Sequence, residues 1–321
     1  MKEKVKAILF LILFAPLVGE GLSTSTPAVA WLNPVTILLL VALYGFGALL
    51  VRELLIRWDK GPEGWSTILL LGLVYGIIEE GLYLMSFFNP NWEDVGPLGS
   101  YGRALGVNWV WVVELAIFHM IFSITIPIML THIAFPQVKE ESWLSKKAFF
   151  LVVAIFILCG PIWMLFVIST YNYIPGIAEY IAFLIIAVIL VVLAKKAPFN
   201  IFTKKEVEAP GFKSYFVYGL IWGVGFFLMV WLLPAYNVHP LITILLLPAW
   251  TLLIIWRIAT TSGNGYGLTG DNQLGLIIGA LCFLFFLLLI FDIIGFVVFG
   301  LISVVIFIFV KKRINQEKNE L

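Results

Sequence analysis

The chain is 321 residues long, 62% hydrophobic and only 12% charged, whereas soluble globular proteins carry roughly 45–50% apolar and about 25% charged residues. A mean hydropathy of +1.05 leaves more apolar surface than packing in water can bury, which excludes a soluble enzyme, a disordered regulator and a nucleic-acid binder. The net charge of +1 offers no field to a polyanion, and Cys159 and Cys282 sit in apolar runs with no disulfide framework around them.

A hydrocarbon layer of about 30 Å asks for about 20 apolar residues per helix, and backbone inside it must close its own hydrogen bonds. Ten segments qualify: about 5–22, 35–53, 66–87, 107–134, 148–170, 176–194, 214–233, 240–257, 273–291 and 293–310. The first follows Lys2, Lys4 and Lys6, as the apolar region of a signal peptide would, with Ala28-Val29-Ala30 as a small-residue cleavage site. That site lies about ten residues past the apolar run, farther than such sites usually sit, so the first helix is read as retained. The run from Gln273 to Val310 exceeds one span, and Asp292 and Gly295 divide it into two. Asn33-Pro34-Val35-Thr36 faintly echoes His239-Pro240-Leu241-Ile242, an offset that does not halve ten helices. The fold expected is all-α, one integral membrane domain over 1–321 forming a polytopic bundle of about ten helices.

Basic residues accumulate in cytoplasmic loops. With the N-terminus inside, Lys2, Lys4, Lys6, Arg52, Arg57, Lys60, Lys139, Lys146 and Lys147 fall inside. So do Lys195, Lys196, Lys204, Lys205, Lys213, Arg257, Lys311, Lys312, Arg313 and Lys318. Of the 20 basic residues only Arg103 then lies outside. Both termini are therefore expected in the cytoplasm, the location being the cell membrane. The longest external connection is Asn89–Gly106 and the longest internal one Lys195–Lys213. Gly263-Asn264-Gly265-Tyr266-Gly267 has no Gly-Lys-Ser/Thr after it and reads as a turn rather than a phosphate loop.

Ionisable groups inside the hydrocarbon are costly and mark functional sites by default. Those within the predicted spans are Glu20, Glu79, Glu80, Glu114, Glu179, Asp292, His119 and His132. Apart from His132 they gather toward the outer half, and the inner half shows no buried Lys or Arg. Glu79 and Glu80 are adjacent, about 100° apart on a helix, which argues against one shared partner. Two close carboxylates in a low-dielectric site suit general acid–base work or proton carriage; bonding to Tyr75, Tyr83 or a neighbouring backbone is the structural alternative. Glu114 and His119 are five residues apart and do not share a face, while Ser123 stands one turn beyond His119. Glu20, Glu114, Ser123 and Glu179 are candidates for a substrate or proton pathway. His132 and His239 read as solvated helix ends, and Trp31, Trp92, Trp109 and Trp111 as interfacial anchors. Without His-Glu-x-x-His or any ligand spacing among three histidines, no metal and no other cofactor is expected.

The stretch Tyr75-Gly76-Ile77-Ile78-Glu79-Glu80-Gly81-Leu82 resembles the first motif of the CPBP intramembrane proteases, the CAAX-processing and bacteriocin-processing family. The resemblance implies that Glu79 or Glu80 activates water for attack on a peptide bond, with His119 assisting. Leu84 stands where that family has Arg, Leu115 where it has Phe, and no His appears in the fifth or sixth helix. Separately, Gly21–Pro34 and Phe87–Trp111 resemble stretches of uncharacterised prokaryotic multi-pass membrane proteins. The first functional expectation is a glutamate-dependent intramembrane hydrolase, or a degenerate relative of one, with Glu79, Glu80 and His119 in one cavity. The second is a proton-coupled transporter or lipid-handling carrier, and the third a structural membrane protein. Partners would be the lipid bilayer and a peptide or lipid substrate, and no nucleic acid.

Overall fold

The computed structural model describes residues 2–198 and 205–320; Lys204, counted above, lies outside them. Helix α1 is Lys2–Pro16, extended by a wider turn over Leu17–Gly21. There follow α2 (Pro34–Arg57), α3 (Trp65–Tyr83), α4 (Trp109–Ala134), α5 (Lys146–Tyr171) and α6 (Ile177–Lys196). Beyond the undescribed link come α7 (Phe212–Ala235), α8 (Pro240–Thr261), α9 (Gly270–Phe291) and α10 (Ile293–Glu320). Each predicted segment coincides with one of these helices. Among the described residues, the nine from α2 to α10 are long and apolar enough to cross a membrane, so the chain is a multi-pass helical membrane protein.

Chemistry at the helix ends explains the boundaries. Helix α3 stops at Tyr83 rather than near residue 87 because Met85 takes a left-handed φ of 55° and the chain turns back on itself. Asp292 does break the long apolar run: its carboxylate accepts from Gly295 N at 2.9 Å and from Ala28 N at 2.7 Å. The echo between residues 33 and 239 is a shared way of starting a helix. Asn33 and His239 each accept from the backbone N–H two residues on, and each is followed by a proline in the first turn. Between α3 and α4 a small hairpin pairs Arg103 with Asn108 and Ala104 with Val107.

Both termini lie on one side, where Arg313 Nη2 meets Glu3 Oε2 at 2.9 Å and Lys4 Nζ donates to Ser142 O at 2.9 Å. We call this the termini side and the opposite one the far side. Helices α3 and α4 are the innermost: 67% and 78% of their apolar stretches are buried by protein, against 17% for α6 and α8. Helices α7 and α9 cross through reciprocal glycine pairs, Gly219/Gly223 and Gly275/Gly279. A Cβ at Gly219 would sit 2.1 Å from Leu276 O, and one at Gly279 2.0 Å from Phe216 O. Small residues four apart let helix backbones touch where lipid supplies no hydrophobic drive.

The termini side corrects two expectations. Arg52 and Glu53 are both fully buried, so a buried arginine does exist in this half. Glu53 accepts from Arg52 Nη1 at 2.8 Å, Arg57 Nε at 3.2 Å, Ser142 Oγ at 2.6 Å and Trp143 N at 2.7 Å. Arg52 also donates to Lys139 O at 2.8 Å and lies 3.6 Å above the Trp143 ring. The α4–α5 connection folds inward over this pair and shields it from water. His132, read as a solvated end, is buried edge-on to Trp143.

Candidate functional site

Four helices widen locally from i→i+4 to i→i+5 hydrogen bonding: α1 at Leu17–Gly21, α2 at Val41–Gly45, α3 at Ile77–Tyr83 and α4 at His119–Thr125. Leu22 N bonding Leu17 O and Leu84 N bonding Glu79 O, both at 2.8 Å, show the five-residue closure. Such π-helical turns recur at functional sites because they take a residue out of the regular face. Here the four turns carry Glu20, Tyr44, Glu79 with Glu80, and His119 with Ser123.

These side chains converge. His119 stands between the two glutamates, with Nε2 3.1 Å from Glu80 Oε1 and Nδ1 3.1 Å from Glu79 Oε2. Adjacent acids thus do share one partner, contrary to the reading from regular helix geometry, because they approach opposite edges of one imidazole. Ser123 Oγ lies 2.9 Å from His119 Nδ1. Ser86 Oγ donates to Glu80 Oε2 and itself receives Trp111 Nε1 at 3.1 Å. Trp111 is therefore a buried part of the site rather than an interfacial anchor. Tyr44 and Tyr75 flank the imidazole, their ring centroids 6.0 and 5.8 Å from its own.

The close approach is built from glycines. Gly72 and Gly76 precede Glu80 at intervals of four, and a Cβ on them would meet Met120 Cα at 2.8 Å and His119 Cβ at 3.1 Å. On α1, a Cβ at Gly19 would meet the Tyr44 ring at 2.5 Å and Ser123 Oγ at 2.9 Å. The Gly72–Gly76–Glu80 stripe is the sequence signal that would have turned Glu80 toward α4.

The remaining candidates fall into two groups. Glu20 accepts from Tyr44 OH and Thr26 Oγ1, so α1 joins the site through Tyr44. Glu114 is buried on α4 with Oε2 lacking a hydrogen-bond partner, and the charged neighbour it senses is Glu80. Glu179 lies elsewhere, its carboxyl tucked against Gly106 and Gly176 near the hairpin. Asp94, in the far-side connection, is coupled to the cluster: loss of hydration, then the Glu80 charge, pushes its carboxyl up to about 6. Arg103, in the same connection, spends its donors on Phe88 O, Gly99 O and Gly106 O. Among the described residues, Lys and Arg pair instead with Glu3, Glu53, Glu141 and Asp271.

Such an arrangement can abstract a proton from water, hand one on, or hold a cation, since each donor atom of Glu79, Glu80 and His119 lies within 4.8 Å of the others. No sequence spacing marks that set, because 39 residues separate Glu80 from His119. A separate apolar cavity of about 250 Å³ lies toward the termini side, lined by Trp65, Ile121, Met129, Trp222, Thr251 and Ile255. Residues 9–311 match an uncharacterized membrane protein family, and the chain belongs to that family. No curated protein and no solved structure matches it.

Proposed function

We propose that this member of the family is a hydrolase acting within the membrane, with Glu79, Glu80 and His119 activating a water molecule. The observation that carries the reading is one imidazole held between two buried carboxylates, each 3.1 Å from a different ring nitrogen. Glu79 is the general base: both its oxygens lack hydrogen-bond donors and are available to take a proton from water. The water oxygen then attacks the carbonyl carbon of a peptide or ester. When the bond to the leaving group breaks, the proton passes through His119 to the departing nitrogen or oxygen. Ser123 and Ser86 hold His119 and Glu80 in place. The resemblance around Glu79-Glu80 to the CPBP proteases points the same way, and the apolar cavity beside α4 suits a substrate with a hydrocarbon chain.

The charge pattern supports a cell-membrane location with the termini side in the cytoplasm. The far-side connection that holds Asp94 then faces outward. Reagents that do not cross membranes, applied to cysteines introduced at Glu93 or Lys147, test this. Only the first should be labelled in intact cells.

The test of activity is purified protein assayed on peptide and lipid ester substrates. Replacing Glu79 or Glu80 by Gln, or His119 by Ala, should cost about 10²–10⁴-fold in rate, the usual worth of a positioned acid or base. Unchanged hydrolysis in all three would end the proposal. A second reading, a proton-coupled carrier, is favoured by Glu20 and Glu114, which surround the triad with more acid than hydrolysis needs. Proton flux in proteoliposomes, abolished by the same changes while hydrolysis is undetectable, would replace the first reading with it.

A further inference from the structure

We infer that Glu79, Glu80 and His119 form a binding site for a divalent transition-metal ion of the Zn²⁺ or Mn²⁺ type. Glu80 Oε1 and His119 Nε2 face each other at 3.1 Å. Donors bonded to one ion at about 2.0–2.2 Å, at angles between a right angle and the tetrahedral one, lie roughly 2.8–3.6 Å apart. The other atom of each group is already engaged, Glu80 Oε2 by Ser86 and His119 Nδ1 by Ser123. Hydrogen bonds of this kind orient the ligands of metal sites and leave the inward atoms free.

The independent observation is Glu79. It is fully buried, yet neither carboxylate oxygen has a hydrogen-bond partner. Its 3.1 Å approach to His119 Nδ1 lacks hydrogen-bond geometry, and that nitrogen is already engaged by Ser123. The buried Tyr75 hydroxyl is likewise without a partner, and its ring packs on His119. Buried ionised groups are paired with charge or coordinate metals, and the described Lys and Arg ion pairs lie elsewhere. A 2+ ion balances two carboxylates. Two carboxylate oxygens and one imidazole suit Zn²⁺ or Mn²⁺, whereas Ca²⁺ takes six to eight oxygens and Cu⁺ prefers sulfur.

As a participant in catalysis the ion rests on the hydrolase reading: it would lower the ionisation of bound water toward about pH 7 and leave Glu79 to accept the released proton. As a binding site it is measured without any substrate. Full-length protein in detergent, stripped by chelator, is titrated with Co²⁺ as the probe and back-titrated with Zn²⁺. One equivalent should bind with a visible ligand-field band, and Zn²⁺ should displace it. His119→Ala and Glu80→Gln should each weaken binding at least tenfold, and Ser86→Ala about tenfold, the usual range for a group that orients a ligand. Unchanged size-exclusion profiles show that the variants fold, and Glu80→Asp, which keeps the charge, should retain part of the affinity. No stoichiometric binding to the wild type, or equal binding to all variants, overturns the site. Stoichiometric binding without hydrolysis upholds the site and rejects the hydrolase reading. Full hydrolysis by chelated protein removes the ion from catalysis.

Discussion

Two pairs of neighbouring ionisable residues lie deep in this bundle, and their surroundings differ in kind. Arg52 and Glu53, on the termini side, have opposite charges, and the Glu53 carboxylate accepts from two guanidinium groups, a hydroxyl and a backbone amide. Glu79 and Glu80, toward the far side, have like charge, and Glu79 has no hydrogen-bond partner. A buried pair with its lone pairs filled holds structure and has nothing left to offer a substrate. A buried carboxylate kept without donors is destabilising by itself, and such groups concentrate where chemistry is done. Completeness of bonding, more than burial, separates the two.

The largest effect should come from crossing that distinction. Glu80→Gln should abolish most hydrolysis, about 10²–10⁴-fold, without lowering the thermal midpoint in detergent, because a neutral amide is cheaper to bury than a poorly paired carboxylate. A large loss of stability would instead place Glu80 with Glu53. Glu53→Gln should cost about 3–5 kcal/mol, since it strands Arg52 as an unpaired buried charge. Denaturant unfolding reads the loss, and a neutral result would break the comparison. Smaller, at about 1–3 kcal/mol for an overpacked contact, is Gly279→Ala, whose new Cβ would lie 2.0 Å from Phe216 O. It should loosen the α7–α9 crossing and leave Co²⁺ affinity unchanged, because α7 and α9 contribute no ligand.

The smallest concerns Asp94. Its folded carboxyl titrates at about 6, above the model value of 3.8. Between those values the folded chain holds the extra proton, so stability falls as pH rises from about 4 to 6 and then levels off. Asp94→Asn should remove that slope in melting curves recorded across the interval. The retained slope would detach Asp94 from the Glu80 cluster.

The helices were legible because lipid imposes one rule on every span: apolar runs of sufficient length must coil. Asp292 marked the break between α9 and α10 for the same reason, being the polar residue where a span could not continue. The glutamates and His119 stood out by their cost in hydrocarbon. What escaped depended on contacts between distant segments. Arg52 looked like a loop charge because nothing local shows that residues 138–144 fold over it. Trp111 looked like an anchor because its Ser86 partner lies beyond a turn in another helix. The meeting of Glu79 and Glu80 on one imidazole was hidden by a regular 100° rotation per residue, which does not hold through Ile77–Tyr83.

Those wider turns make the site sensitive to the count of residues as well as to their identity. A π turn is one residue more than an α turn can hold. Deleting a single position between Ile77 and Tyr83 would let α3 relax to ordinary winding and swing everything after it by roughly 100° about the axis. Glu80 would then leave His119 although every side chain in the triad was still present. Length variation within these helices should therefore be far less tolerated than exchange of the apolar residues that fill them.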